Sequence, residues 1–272
     1  MTKKKRLTRD IIIQTLVDAL ELLDYTHAFW EGGAAAFDRI DEWSDIDLYL
    51  VVDNKKVNET FFTVEKALKS LSSITQKYEV SHPPSSGLFQ AFYKLDDASK
   101  YLIIDLAVLK LSSPDKFLEP EIHGNVVFYF NKSNKVKPPS LNKNVLAKKL
   151  QKRLKRLQAR FDMFSNFVQK EINRGNQIEA IDLYHGLTLA TLVEALRVKY
   201  NPVHHSFKTR YIHYELPSET IKRLEHLYFV RDEKDLQEKY HKAIRWFHEI
   251  MSEIDQKEIE RRIRTSKGLA ST

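Results

Sequence analysis

Three aspartates and a pair of glycines are the residues whose spacing could do chemistry. Asp45 and Asp47 stand two positions apart in Ser44-Asp45-Ile46-Asp47, at the entrance to the apolar run Leu48-Tyr49-Leu50-Val51-Val52. In a strand, alternate side chains share a face. Both carboxylates therefore project together, while Ile46, Leu48 and Leu50 point the other way. Two carboxylates so placed can hold a hard divalent cation, which prefers oxygen ligands and keeps water or phosphate oxygens in the rest of its shell. A third acid, Asp105, interrupts the apolar stretch 101–109. Ionised and buried without a partner it would cost several kcal/mol, so it needs a cation or strong donors. Eleven residues before Ser44, a strand-like run ends in Gly32-Gly33, an adjacent pair in a chain with only seven glycines. Paired glycines let a backbone approach a phosphate closely, with N–H groups available to it. Acids and phosphate belong to one site only if a metal offsets their repulsion, so the pattern predicts a metal-assisted, phosphate-handling centre.

Composition narrows the chemistry further. The 272 residues contain no cysteine, which excludes a disulfide scaffold, a cysteine nucleophile and thiolate metal sites, and leaves oxygen ligands as the natural metal reading. With 42% hydrophobic and 30% charged residues, the chain reads as an ordered globular protein. A formal charge of +7 points to an anionic partner without choosing one. The amino terminus begins Met1-Thr2-Lys3-Lys4-Lys5-Arg6-Leu7. It is basic, but Arg9, Asp10, Gln14 and Asp18 break the apolar core that a signal peptide would need. No apolar run approaches the ~20 residues of a membrane span, so the expectation is a cytoplasmic protein with no membrane partner.

The elements that must position the acids fall into two halves. Residues 8–24 carry Ile12, Leu16, Leu20 and Leu23 at helical spacing. Strand-like runs come next at 27–30, 47–52, 88–93, 101–109 and 126–130, with an amphipathic helix over 59–71 and a polar hairpin turn at 95–100. Residues 131–140, with Pro138-Pro139 and three lysines, read as a linker. Beyond it the periodicity is helical: a stripe from Leu150 to Val168, then helices over about 178–200, 218–229 and 234–254. The expected class is α+β, with a mixed α/β domain over 1–131 and an all-α bundle over 142–272.

With these motifs the chain resembles the nucleotidyltransferase superfamily related to DNA polymerase β, whose hallmark is Gly-Ser or Gly-Gly, a spacer, Ser-Asp-Ile-Asp-Leu and a third acid on a later strand. The resemblance covers residues 8–130. A catalytic module followed by helices is the arrangement of antibiotic nucleotidyltransferases acting on aminoglycosides or lincosamides. It implies that Asp45, Asp47 and Asp105 bind two Mg²⁺ ions. It implies too that Gly32, Gly33 and Ser44 cradle the triphosphate of ATP, and that a hydroxyl of a small-molecule acceptor attacks the α-phosphorus. The segment 206–217 is similar to the late helical part of that group. Within it Lys208 and Arg210 read as cations for phosphate and Tyr211 as a ring for the base of a nucleotide, with a salt-bridged structural loop as the other reading. Two departures stand out. Gly33 replaces a serine found in many relatives, and Gln90 occupies the region where several antibiotic adenylyltransferases carry a glutamate base. The same resemblance allows an acceptor that is RNA or protein, and a monomer or a homodimer. A non-catalytic, antitoxin-like module is the alternative of another class, against which the complete set of three acids argues.

One further feature is a run of cations, Lys148, Lys149, Lys152, Arg153, Lys155, Arg156 and Arg160, with no acid among them. It reads first as the solvated face of the Leu150/Leu154/Leu157 stripe. A nucleic-acid face and attraction of ATP or another anion are the other readings. His204, His205 and His213 read as ordinary loop histidines, and Tyr184 and His185 as core or cleft-lining residues.

Overall fold

A computed structural model describes residues 7–266. The basic residues 1–6 and the last six of the expected helical domain lie outside them. The chain forms two compact units, divided between Leu141 and Asn142.

The first unit is built on a six-stranded mixed sheet. Its strands are β1 (Thr26–Glu31), β2 (Ile46–Val52), β3 (Ile74–Val80), β4 (Leu88–Leu95), β5 (Ile104–Lys110) and β6 (Val127–Asn131), in spatial order β3-β4-β5-β2-β1-β6. Among the described residues only β2 and β5 run parallel; every other neighbouring pair is antiparallel. These two central strands are the most apolar, as strands buried on both faces should be. Helices α1 (Arg9–Glu21) and α3 (Val57–Leu71) cover one face. Thr8 caps α1, its hydroxyl accepting from the Ile11 N–H, and the stripe Ile12, Leu16 and Leu20 packs on Ile46, Leu48, Leu50 and Leu106. The alternate residues of β2 and β5 face the other way, where Val51 and Leu109 join Trp30 and Leu118 in a smaller apolar cluster. The opposite end of that face carries Asp47 and Asp105. The element α2 (Gly33–Ala36) is a single turn directly after β1, and α4 (Pro120–His123) is another short turn before β6.

The sequence pattern missed β3. It reads Ile-Thr-Gln-Lys-Tyr-Glu-Val and is exposed along most of its length. It pairs on one side only, and its Lys77 and Glu79 are the kind of charged residues that discourage further pairing at a sheet edge. The expected strand over 101–109 begins later, at Ile104.

The regular elements described within residues 142–266 are all helical. The stripe expected from Leu150 to Val168 divides into α5 (Lys143–Phe164) and α6 (Phe167–Arg174). The expected 178–200 helix divides into α7 (Gln177–Leu183), a π-helical segment at Tyr184–Leu189 and α8 (Ala190–Tyr200). The short α9 (Ile212–Glu215), then α10 (Ser218–Tyr228), α11 (Glu233–Glu253) and α12 (Gln256–Thr265) complete the unit. Phe161 stacks on Phe247 at 3.8 Å between ring centres, inside a core that also holds Leu192, Leu196 and Trp246.

Arg197 is a charged side chain with no exposed surface, set within this core. Its guanidinium pairs with Glu215 at 2.7 Å and donates to the backbone carbonyls of Lys208 and Arg210. Glu215 also meets His204 Nδ1 at 2.8 Å. Burial works against the Glu215 carboxylate, but His204 and Arg197 together hold it below its ordinary range. His204 is thus a member of a buried network and not an ordinary loop histidine. That network fixes the loop carrying Lys208 and Tyr211, both of which have positive φ.

Candidate active site

Asp47 and Asp105 are direct register partners across the parallel pair β2/β5. Adjacent strands lie about 4.8 Å apart, so two carboxylates on one face at matched positions share a small space. Asp45 lies just before β2; its Oδ1 accepts the Ile103 N–H at 3.2 Å, tying it to the start of β5. Burial raises the pKa of Asp45, against the Ile103 N–H, Arg9 and Lys94. For Asp105, burial is again the largest cause. A hydrogen bond from Gln90 opposes it, the negative charges of Asp47 and Asp45 add to it, and the result is a pKa of about 6. Asp105 is thus the acid whose proton affinity its two neighbours raise, and a cation beside it would relieve that crowding.

Gly33 shows why the glycine pair is there. Its φ is +54°, and a Cβ on it would fall inside the Asp47 carboxylate and within 2.9 Å of the Asp47 Cβ. Any larger residue would combine left-handed strain with a clash against a site acid. Gly32 lies against the ring of Tyr49, where a Cβ would come within 2.8 Å of Cε2. The pair divides its work: the Gly32 N–H donates to the Asp47 carbonyl at 2.9 Å and so is not open to a phosphate, while Gly33 gives the close approach. We expect Gly33→Ala to destabilise the first unit by about 1–3 kcal/mol and to displace Asp47. A thermal melt together with divalent-ion titration would check this.

The Ser44 hydroxyl donates to Asp41 Oδ1 at 2.8 Å and accepts the Asp41 N–H at 2.9 Å, so in this structure it closes its own loop. Gln90, on β4, gives its Nε2–H to Asp105 Oδ1 at 2.7 Å, and its Oε1 meets His82 Nε2 at 2.9 Å. An ionised Asp105 accepts only from the amide NH₂. The Gln90 carbonyl therefore faces His82, which must donate from Nε2.

Two features of the site were not legible in advance. Arg9 gives one guanidinium N–H to the Asp45 carbonyl at 2.7 Å and pairs with Glu31, which is 2% exposed and accepts the Tyr129 hydroxyl at 2.5 Å. The signal available was a cation beside the first helix turn, which reads as solvated. The exposed Trp43 and Tyr101 rings meet edge-on at 4.9 Å, each just ahead of a strand that carries a site acid. Lys208, Arg210 and Tyr211 belong to the helical unit. Lys208 lines a cleft there, and the Arg210 guanidinium lies 5.8 Å from the Phe207 ring.

The donor set is one that Mg²⁺ would accept: hard carboxylate oxygens, two of them in matched register, with a glycine cleared away beside them. Among the described residues, no three acidic or histidine side chains converge closely enough to hold an ion by themselves. Water and phosphate oxygens would have to complete the shell.

Asp105 also sets a pH dependence. Its pKa lies above the unfolded value of 3.8, at about 6, so its ionisation costs the folded state. That cost is absent below about pH 4, grows as pH rises through about 6 and is complete above it. In EDTA, Asp105→Asn should therefore be more stable than wild type by about 1–2 kcal/mol at pH 7.5, after allowance for the open side of the sheet. The gap should close near pH 4. Denaturant unfolding at the two pH values measures it.

No family model matches the chain, and neither does any curated protein. Among the described residues no helix is long and apolar enough to cross a membrane. Solved structures similar to it at low depth include the following two. One is an aminoglycoside 6-adenyltransferase from Bacillus subtilis, 11% identical, covering 96% of this chain and 93% of that one with a TM-score of 0.37. The other is the spectinomycin adenyltransferase AAD(9) from Enterococcus faecialis, with ATP and spectinomycin, 10% identical, covering 95% of this chain and 100% of that one with a TM-score of 0.32. A likeness this shallow says nothing about activity, and the chain's chemistry rests on its own residues.

Proposed function

We propose that the protein is a metal-dependent nucleotidyltransferase that moves AMP from ATP to a hydroxyl of a small molecule, of which an antibiotic is one class. The observation that carries this reading is the opposition of Asp47 and Asp105 across β2/β5, with Gly33 in left-handed conformation against Asp47. Asp45, Asp47 and Asp105 would hold two Mg²⁺ ions. The chemistry such ions supply is neutralisation of triphosphate charge and a lowered pKa for the attacking hydroxyl.

The chain's own residues do the rest by positioning. Gly33 leaves room for the Asp47 carboxylate, and Ser44, just ahead of β2, is assigned to phosphate contact, for which its hydroxyl would turn from Asp41. Arg9 anchors the Asp45 backbone, so the acid entering β2 is held from the helix side as well as from Ile103. Gln90 fixes one oxygen of Asp105 and leaves the other to face the reacting groups. Having no carboxylate, Gln90 takes up no proton. The proton of the attacking hydroxyl leaves to Asp105 or to solvent. The acceptor oxygen then bonds to the α-phosphorus and the bond to the β-phosphate oxygen breaks, releasing pyrophosphate. The Trp43/Tyr101 pair offers ring faces beside the acids, and Lys208, Arg210 and Tyr211 are assigned to nucleotide contact.

The test is pyrophosphate release from labelled ATP in Mg²⁺, with a panel of aminoglycosides, lincosamides, tRNA and proteins as acceptors. The proposal requires an activity that Asp45→Ala and Asp105→Ala both abolish. Release that survives either change would contradict it.

A further inference from the structure

The helical unit contains a concave site of its own, with a volume of about 960 Å³. Helix α5 turns Lys149, Lys152, Arg153 and Arg156 toward it, and Lys208 closes the ring of cations from the facing loop. The spacing i, i+3, i+4, i+7 puts the four helix residues on one face, along roughly 10 Å of helix axis. Arg153 is neutralised: its guanidinium forks onto the Glu194 carboxylate at 2.5 and 2.7 Å. Among the described residues no carboxylate pairs with Lys149, Lys152, Arg156 or Lys208. Four like charges converging on one concavity repel one another, and nothing in the helical fold requires them there, because the stripe that packs is Leu150, Leu154 and Leu157.

A second observation is independent of charge. The cleft floor includes Gly186, Ala190 and Val193, with Tyr228 beside them. Gly186 lies inside the π-helical segment Tyr184–Leu189, and a Cβ there would meet no atom within 4 Å. Side-chain contacts tie this segment to its neighbours: the His185 ring lies between the carbonyls of Ile181 and Tyr228, either of which can accept its N–H, and the Tyr184 hydroxyl donates to the Leu227 carbonyl at 2.9 Å. Such π-helical segments recur at functional sites. Burial is the largest cause lowering the pKa of His205 on the cleft wall; Lys149 and Arg153 add to it, and the Pro202 carbonyl and Glu194 oppose it.

We propose that this cleft is a binding site for a small molecule carrying a run of phosphate groups, held by Lys149, Lys152, Arg156 and Lys208 without a metal ion. Its volume suits a small ligand, and its apolar floor suits a compact body attached to the phosphates. A polycation is repelled by the same cations. The cleft lies wholly within residues 142–266 and takes in Lys208, which the transferase reading assigns to nucleotide contact; its test needs neither metal nor acceptor, so the two readings can fail separately.

The test is isothermal titration calorimetry on the full chain in EDTA at low salt, with inorganic tripolyphosphate, ATP, adenosine and a short single-stranded RNA as separate titrants. Wild type should bind tripolyphosphate or ATP and not adenosine. Lys152→Gln with Arg156→Gln should weaken that binding by about tenfold or more. Both residues are exposed, so the fold should survive. Lys148→Gln with Lys155→Gln, on the same helix but outside the cleft, should change the affinity by less than about twofold. Asp45→Asn with Asp105→Asn should leave it unchanged, which separates this site from the acids. ATP binding more tightly than tripolyphosphate would identify a nucleotide as the source of the phosphates, and equal affinity an inorganic chain. The proposal is overturned if wild type binds neither polyphosphate. It is overturned equally if the Lys148/Lys155 pair matters as much as the cleft pair, or if only RNA binds.

Discussion

Asp47→Asn is expected to reduce Mg²⁺-dependent pyrophosphate release by about 10³-fold, the equivalent of roughly 4 kcal/mol of transition-state stabilisation. The substitution keeps the volume of the side chain and removes only its charge. Asp47 is the residue to choose because three relations meet on it: it faces Asp105 in register, it lies against Gly33, and its carbonyl receives the Gly32 N–H. The last is a backbone bond that the substitution preserves, so the β1–α2 corner should stay in place. Folding should be unharmed or slightly improved, since a charge that raises the proton affinity of Asp105 has gone. An unchanged or higher melting temperature together with lost Mn²⁺ affinity and lost turnover would separate a site residue from a structural one. Equal loss of stability and turnover would place Asp47 in the scaffold.

The second large effect belongs to the helical unit. Arg197→Met should destabilise it by about 3–5 kcal/mol, the usual cost of leaving one member of a buried ion pair alone. Arg197 is 0% exposed, and its loss leaves the buried Glu215 carboxylate with His204 but without its guanidinium and strands the carbonyls of Lys208 and Arg210. Truncating both charges as Arg197→Met with Glu215→Met should cost less than the single change, because the uncompensated buried charge is then removed. Denaturant midpoints for the three proteins would show the order. A single variant as stable as wild type would mean that the loop carrying Lys208 is held by packing alone.

How much of this was legible in the sequence depends on what each residue needs from its neighbours. The two central strands announce themselves through continuous apolar residues, and Asp45, Asp47 and Asp105 stand out because an acid in such a run needs an explanation. Their pairing does not announce itself. β2 and β5 are separated by two other strands in the chain, and only the parallel crossover places Asp47 opposite Asp105. β3 left no pattern because an edge strand with both faces largely wet has no hydrophobic alternation to show. Arg9 was silent for a related reason: its role is set by Glu31 and Asp45, neither of which is near it in sequence. Arg197 gave a faint signal, a lone cation within Ala195 to Val198. The basic face of α5 reads as solvated until Lys208 and the π-helical floor are placed opposite it. A period-3.6 pattern carries no mark of a π segment, which shifts register without changing residue types.

The Gln90 contact sharpens the reading of the acids. An amide in place of a base looks like a loss, yet its NH₂ steadies the ionised form of Asp105 against burial. Under the transferase proposal the ion-holding demand falls on the three carboxylates, and the acceptor's proton leaves to Asp105 or to solvent.

The most direct measurement is a crystal structure of the protein with Mn²⁺ and a non-hydrolysable ATP analogue, read by anomalous scattering. Manganese peaks are expected at the Asp47 and Asp105 carboxylates and beside Asp45, with triphosphate oxygens completing their shells and a phosphate near Gly33. Manganese bound elsewhere, or a triphosphate that leaves all three aspartates untouched, would contradict the transferase proposal.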